Sequence, residues 1–580
     1  MSSTHNTQLQ RHEWGPQHQE PPQPAQRGHS LLWRFLGWFI AAMFLHEAID
    51  NGGSGEINWC LHVMFLGWLC KWLIRGIRDG HIPIDWLVRR ADALRWRLAA
   101  LFVSVAPLAI VKPLARHRAY RRSLEPEPYY PTADDARYKV QSLGGGAYLG
   151  VDQEGEWVTA TPQSATLVLG PPRSGKTMDV IIPAVLSASG PVISTATKPE
   201  VMEATMFARG EIGDVWLFDP SGEYTELPQG IRRLCWSPVA AASTWDAALL
   251  TSRAMTACTR VGAGTTNETH WTERAAALLA PLLLTANLTE RPIEDVLRWT
   301  LRQDLVPAME FLANGDNAIA ADVLVGIQRT DTRERSSIFS AASGVLSAYN
   351  SDGARRTAAD PNFDADAFVL STDTIFITAP EHHQTFSAPL IVGILEQIRH
   401  AGYRAAAKRY SAQRMLWVLD EFANIAPIPD VLALASQAGG QRLDLMLGLQ
   451  DLGQIASRYG HHVADAFMTL FQTKLILKGV SDPRTLEALS QVIGDYDREI
   501  ISNSAGTSES GEWFSPPGKN ESVSYQTHRQ RIVAPSDIAD LPDRHGLLMH
   551  GASWSLIETT RWFESDPWAS IGNHTPIPLQ

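Results

Sequence analysis

The stretch Gly170-Pro171-Pro172-Arg173-Ser174-Gly175-Lys176-Thr177 decides how this chain folds. It meets the pattern G-x-x-x-x-G-K-[ST] at every fixed position. An apolar run, Thr166-Leu167-Val168-Leu169, precedes it, and a segment able to form a helix, Met178 to Val185, follows it. Strand, loop and helix in that order are the context a phosphate-binding loop requires. Gly170 and Gly175 let the backbone wrap a polyphosphate, with Pro171, Pro172, Arg173 and Ser174 between them. Several N–H groups and the positive start of the helix then point at the ligand. Lys176 reaches the β- and γ-phosphates in such a loop, and Thr177 offers its hydroxyl to Mg2+.

From about Tyr138 onward, short β-branched runs alternate with helical stretches, the mark of a parallel α/β sheet. Strands are predicted at Thr166–Leu169, Pro191–Ser194, Val215–Phe218, Thr374–Thr378, Met415–Leu419, Asp444–Gly448, Thr473–Lys478 and Gly546–His550. Between about Ala240 and Tyr349 the chain reads as nearly all helix, which predicts an all-α subdomain inserted into the α/β core. Residues 501–523, rich in Ser, Gly, Asn and Pro, read as a mobile loop. The body is thus expected over 138–240 and 350–566, the helical insertion over 241–349, and a C-terminal tail over 567–580.

The second chemical motif is Met415-Leu416-Trp417-Val418-Leu419-Asp420-Glu421, an apolar strand ending in two acids. The carboxyl edge of an open α/β sheet is where ligands bind. Asp420 is suited to hold Mg2+ through water, and Glu421 to polarise an attacking water. Alone, such an acid also serves as an ordinary strand cap; a complete phosphate loop upstream favours the catalytic reading. Gln450, after the strand Leu445-Met446-Leu447-Gly448-Leu449, repeats the layout and is suited to sense the γ-phosphate or place water. A polar strand cap is its bland alternative.

The chain has 580 residues, 44% of them hydrophobic, and a formal charge of −12. That charge excludes a generally basic DNA-coating protein. Residues 71–122 nonetheless carry 12 Lys/Arg against 3 Asp, so the acidic surplus belongs to the body. Residues 1–30 are rich in Gln, His and Pro and read as a disordered tail. Two apolar runs follow, Leu31–Leu45 and Ile57–Ile74, joined by the acidic stretch His46–Glu56 and succeeded by Arg75, Arg78, Arg89 and Arg90. The positive-inside rule makes them a transmembrane hairpin over 31–75 with both ends cytoplasmic, followed by a basic juxtamembrane segment over 76–137. Each run is short for a span, and a pair of buried soluble helices is the alternative. A third run, Leu98–Val111, has basic flanks and reads as interfacial or re-entrant, with a third span as the alternative. The basic stretch Arg116–Arg122 suits anionic lipid headgroups or DNA. The four cysteines are scattered and read as reduced, and the pairs His382-His383 and His461-His462 lack a third His, so neither suggests a metal site.

Taken together the chain resembles the type IV coupling proteins (TraG/TraD-like), the membrane ATPases of conjugative DNA transfer. The resemblance spans residues 164–566 and rests on ordered pieces. These are the phosphate loop with Ile182-Pro183, Thr197-Lys198-Pro199-Glu200, Phe218-Asp219-Pro220 and Trp236-Ser237-Pro238. Leu419-Asp420-Glu421-Phe422-Ala423-Asn424, Gly448-Leu449-Gln450, Gly479-Val480-Ser481-Asp482-Pro483 and Arg531-Ile532-Val533-Ala534-Pro535 with Leu541-Pro542 follow. The resemblance implies a RecA-like P-loop NTPase core that uses ATP and Mg2+, with an all-α domain, assembled as a homohexamer at the inner membrane. It further implies delivery of a relaxase–DNA complex, with the DNA single-stranded, to the components of a type IV secretion channel. Two departures stand out. Many relatives have Asp-Pro-Lys-Gly-Glu where this chain has Ala196-Thr197-Lys198-Pro199-Glu200, and a family Arg has no counterpart at Gly439 or Gly440. Arg442 is the nearest substitute for a trans-acting finger, with a plain surface Arg as the alternative. Two other functions compete: a membrane-docked ATP-binding adaptor that recruits protein substrates, and a translocase of the FtsK type. No recognisable DNA-binding module is present in the sequence.

Overall fold

The computed structural model describes residues 132–259, 266–408, 413–508 and 518–573. The expected N-terminal tail, membrane hairpin, third apolar run and basic block lie outside the described residues. Among the described residues no helix is long and apolar enough to cross a membrane.

The strands, in chain order, begin with β1 (Tyr148–Val151), β2 (Trp157–Thr159), β3 (Thr166–Leu169), β4 (Val192–Ala196), β5 (Val215–Phe218), β6 (Ile231–Arg233) and β7 (Thr374–Thr378). They continue with β8 (Met415–Leu419), β9 (Leu443–Leu449), β10 (Thr473–Leu477), β11 (Asp495–Ser508), β12 (Gly518–Arg531), β13 (His545–His550) and β14 (Ser553–Glu558). Twelve of them form one sheet in the order β2-β1-β14-β13-β10-β3-β9-β8-β4-β7-β5-β6. From β10 to β6 every neighbouring pair is parallel. β13, β14, β1 and β2 extend the β10 side as an antiparallel edge. All eight predicted strands are present, with ends within two residues of those expected. β3, β7, β8, β9 and β10 are buried at every position, as strands covered on both faces must be. The expected α/β class, with a large parallel sheet, is what the chain adopts.

The helical insertion sits between β6 and β7. Its spine is helix Thr266–Leu288, whose Leu278, Leu279, Leu282 and Leu283 are fully buried. Helices Trp245–Ala257, Ile293–Arg302, Ala318–Gln328 and Thr332–Val345 are further parts of this insertion. Thr244 and Asp331 cap two of them, each accepting a hydrogen bond from a first-turn N–H. Helix Gln384–Ala407 returns the chain to the sheet. Its Gly393 meets Trp236, where an added Cβ would lie 2.6 Å from the indole ring.

Three boundaries differ from expectation. Helix Ala133–Ser142 belongs to the body, with Ala133, Ala136 and Val140 buried, so the body starts before Tyr138. Residues 567–580 were expected to be tail, yet Trp568 is 1% exposed and stacks on Trp157 at 5.0 Å, opening helix Trp568–Asn573. A single buried Trp outweighs the polar residues around it, because its large apolar area dominates the segment. The expected loop at 501–523 lies largely in strands, because β11 and β12 pair over fourteen residues from Asp495↔Arg531 to Ser508↔Gly518. Among the described residues the ribbon pairs only with itself, and its exposed stretch 525–530 shows no alternating burial. It therefore left no hydrophobic alternation to read.

One buried cation ties the sheet's amino edge together. Arg209, 0% exposed, donates Nε to Thr374 Oγ1 at 2.7 Å and Nη2 to Gly190 O at 2.8 Å and Thr372 O at 2.9 Å. Its Nη1 donates to Ala188 O. Burial lowers the basicity of the guanidinium, Arg137 lowers it further, and Asp373 opposes them. Near the phosphate loop, Trp562 N donates to Met178 O at 3.1 Å, bringing the C-terminal segment onto the helix that carries Asp179. Burial pushes the Asp179 carboxyl up to about 6, Arg561 and Arg544 pull it down, and Glu564 pushes it up. Asp179 Oδ1 has no hydrogen-bond partner.

Replacing Arg209 by Leu strands these acceptors, and a buried unsatisfied group costs about 1–3 kcal/mol. We expect Arg209→Leu to lower unfolding free energy by at least about 3 kcal/mol, read from denaturant midpoints, with Arg209→Lys failing to rescue. The raised acid pKa of Asp179 has a definite sign. The folded chain holds its proton to higher pH than the unfolded chain, so stability falls as pH rises from about 4 to about 6. Asp179→Asn should therefore raise the melting temperature at pH 7.5 and give little gain at pH 4.

Candidate functional site

The site lies at the carboxyl ends of three adjacent strands. β9 runs between β3 and β8, with Leu169 level with Leu449 and Leu419 level with Leu447. The chain leaves β3 into the phosphate loop, β8 into Asp420–Glu421, and β9 into Gln450, so all three arrive at one edge. The β3–loop junction is tied to β9 by Gly170 N donating to Leu449 O at 3.0 Å. Gly175 has φ +95°, and an added Cβ would lie 2.3 Å from Asp179 Oδ2. Only glycine keeps that turn open. A wide helical turn of the π type, Lys176–Ile181, follows and runs into helix Ile182–Ser187.

Lys176 is 7% exposed. Its Nζ lies 3.4 Å from Asp420 Oδ1 and 3.8 Å from Glu421 Oε1, and 3.5 Å from the carbonyls of Gly170 and Leu449. Thr177 Oγ1 donates to Asp420 Oδ2 at 3.2 Å. Gln450 Nε2 donates to Glu421 Oε1 at 3.5 Å. Lys176, Thr177, Asp420, Glu421 and Gln450 are thus one contiguous group.

The surroundings fix these side chains. Thr195 on β4 donates its hydroxyl to Asp420 O at 2.8 Å. Glu421 adopts φ +49°, an uncommon backbone for a non-glycine residue, and such strain gathers at functional sites. Asn424 Nδ2 donates to Glu421 Oε2 at 3.4 Å. Gly448 faces Asp420, and a Cβ there would come within 2.6 Å of Asp420 Oδ1. Thr195 and Asn424 carried no role in the sequence reading. Thr195 could not, because its contact depends on β4 lying beside β8.

The arrangement fits a bound triphosphate and Mg2+. Ser174 Oγ is buried with no partner, a hydroxyl left to donate into the loop. A lysine beside two carboxylates, with a threonine hydroxyl on one of them, is the donor set that binds phosphate and an oxygen-seeking cation. Thr177 and Asp420 would hold the metal.

Gln450 also begins a longer connection. Its N–H donates to Gln454 Oε1 at 2.9 Å, and Asp451 caps helix Leu452–Tyr459. At the far end of that helix, Arg458 Nη2 donates to Cys258 O, just beyond helix Trp245–Ala257 of the insertion. A cleft of about 1150 Å3 flanks this helix, lined by Gln454, Ser457 and Arg458 together with Trp271, Phe386 and Asn424.

Arg442 is not part of this group. It immediately precedes β9, six residues before Gly448, at the amino end of that strand and therefore at the opposite edge of the sheet. It adopts φ +59°, and its Nη1 is buried without a partner. It cannot reach the phosphate loop of its own chain.

Comparison with known proteins follows the same lines. VirD4 of Agrobacterium fabrum and VirD4 of Rhizobium rhizogenes are each 23% identical to this chain over 372 residues, 60% of this chain. The chain spans about half the length of these relatives, 52% in each case. Among solved structures, the plasmid coupling protein TrwB in complex with ADP and Mg2+ superposes with a TM-score of 0.53 at 16% identity, covering 74% of this chain and 93% of TrwB. TrwB with the non-hydrolysable ATP analogue ADPNP superposes at 0.51 and 18% identity, covering 69% and 86%. At that identity the likeness carries the fold alone. The family described as type IV secretory system conjugative DNA transfer matches residues 130–573, most of the chain and all of the site. This chain belongs to that family.

Proposed function

We propose that this chain is a membrane-anchored, ATP-hydrolysing coupling protein that brings a relaxase–DNA complex to a type IV secretion channel and drives the DNA into it. The observation that carries the reading is the convergence of Lys176, Thr177, Asp420, Glu421 and Gln450 at one sheet edge. Family membership supplies the setting. The nucleotide-bound TrwB structures, which hold ADPNP or ADP with Mg2+, support ATP and Mg2+ as the ligands here.

In this reading Lys176 exchanges part of its pairing with Asp420 and Glu421 for phosphate oxygens, and so holds the γ-phosphate against the acids' edge. Thr177 and Asp420 would hold Mg2+, which when bound would supply positive charge to offset that of the phosphates. Glu421 takes a proton from the attacking water, its carboxylate kept in place by Asn424 and Gln450. Gln450 reads whether the γ-phosphate is present. The membrane hairpin over residues 31–75 anchors the chain with its body in the cytoplasm, supported by the basic residues that follow the apolar runs. A homohexameric ring gives DNA a path through its centre. Arg442, remote from its own site, is suited only to a neighbour's, where it would stabilise transition-state charge.

The decisive measurement is the ATPase rate of the purified chain with and without single-stranded and double-stranded DNA. We expect stimulation by DNA, and loss of both turnover and transfer between cells in Lys176→Ala. A rate indifferent to DNA, with transfer intact in Lys176→Ala, would sink the motor and leave a recruiting adaptor. Glu421→Gln should keep nucleotide binding while turnover falls about 10^2–10^4-fold. Gly448→Ala pushes on the Asp420 carboxylate, and should raise the Mg2+ concentration needed for half-maximal turnover.

A further inference from the structure

Away from the nucleotide site, at the carboxyl edge formed by β5 and β7, two histidines and a glutamate converge. His382 Nε2 lies 2.9 Å from Glu223 Oε1, and His383 Nε2 lies 3.1 Å from the same oxygen. The two imidazole centroids are 4.4 Å apart. One ligand atom from each residue falls within 4.8 Å of the other two. In sequence, His382-His383 is a pair without a third His. The fold supplies a carboxylate instead, from 159 residues away.

We propose that Glu223, His382 and His383 form a binding site for a divalent transition-metal ion, with zinc the best chemical match. In a tetrahedral site with bonds of about 2.0–2.1 Å, neighbouring ligand atoms sit about 3.3 Å apart. The two His–Glu separations are already close to that spacing, so small outward movements of the side chains seat an ion. Two imidazole nitrogens exclude Mg2+ and Ca2+, which take oxygen ligands. Imidazole with a single carboxylate suits zinc and its neighbours in the first transition row. The His382 side chain is 68% exposed, Glu223 42% and His383 33%, so an ion can enter and water can complete the coordination.

Both supports are rigid, which separates this cluster from a chance meeting of surface side chains. Asp219, 1% exposed, accepts from Ser221 N at 2.9 Å and Tyr224 N at 2.8 Å, which folds the loop carrying Glu223. Gly222 in that loop has φ +70° and packs on Gly353, leaving no room for a Cβ. On the other side, His383 N donates to Pro380 O at 2.8 Å in a short 3-10 turn that leads into helix Gln384–Ala407. An ion here clips the loop after β5 to the turn after β7. That turn borders the cleft beside the insertion, since Glu381 and Gln384 line it. The second histidine pair makes a natural contrast. His461 Nδ1 lies 3.1 Å from Arg484 Nη1, a permanent cation that opposes a metal.

The test is a titration of the metal-free full chain with Zn2+ against a chromophoric zinc indicator, with melting temperature followed in parallel. The parent should bind zinc at this site and melt higher with it. His382→Ala, His383→Ala and Glu223→Gln should each weaken that binding by more than the ~10–100-fold that loss of an outer partner causes, and abolish the rise in melting temperature. Their melting temperatures without zinc should match the parent, which shows that they fold. His461→Ala should bind as the parent does. If the three variants bind zinc as tightly as the parent, or if the zinc-dependent rise survives in Glu223→Gln, the site does not exist. Neither result bears on nucleotide hydrolysis, so the coupling-protein reading stands or falls separately.

Discussion

Lys176 is held 3.4 Å from Asp420 and 3.8 Å from Glu421, with almost no exposure to water. Taking a cation and two acids out of solvent is costly unless each is paired and hydrogen-bonded. Nearly every local feature answers that demand. The carbonyls of Gly170 and Leu449 face the ammonium, Thr177 and the Glu421 N–H satisfy the Asp420 carboxylate, and Gln450 and Asn424 share the Glu421 carboxylate. The register of β3, β9 and β8 meets the same requirement at larger scale. If β9 slipped by two residues, Gly448 would leave Asp420 and Met446 or Gln450 would take its place.

The strength of this arrangement is that its members are spread over three strands far apart in sequence. Each strand is a short, fully buried run, and the sheet holds their ends level through backbone hydrogen bonds rather than through side chains. Polar residues can therefore occupy the edge without weakening the core beneath them. The same economy appears at the opposite edge, where Arg209 gathers oxygens from two separate segments, 188–190 and 372–374.

Much of this was legible from residues alone. The phosphate loop and the acid pair announce themselves because their chemistry needs fixed residue types at fixed spacing, and buried parallel strands leave apolar runs with clear ends. Strand order was not legible, and with it went the contact of Thr195 with Asp420, the place of Gln450 between the two motifs, and the distance of Arg442 from its own site. Short edge strands such as β2 and β6 are three residues long, too brief to show a period. Among the described residues the β11–β12 ribbon pairs only with itself, and its stretch 525–530 is exposed at every position, with no alternation to betray it. Trp568 was visible as a residue, but its partners Tyr148 and Trp157 lie more than four hundred positions earlier.

Helix Leu452–Tyr459 has one end at Gln450 and the other at Cys258, and eight helical residues make a rod of about 12 Å. A rod that short does not bend, so a tilt imposed at its nucleotide end arrives undiminished at its far end. Mechanically it is a stiff strut between the sheet's carboxyl edge and the helical insertion, seated at Gln450 on one side and at Cys258 on the other.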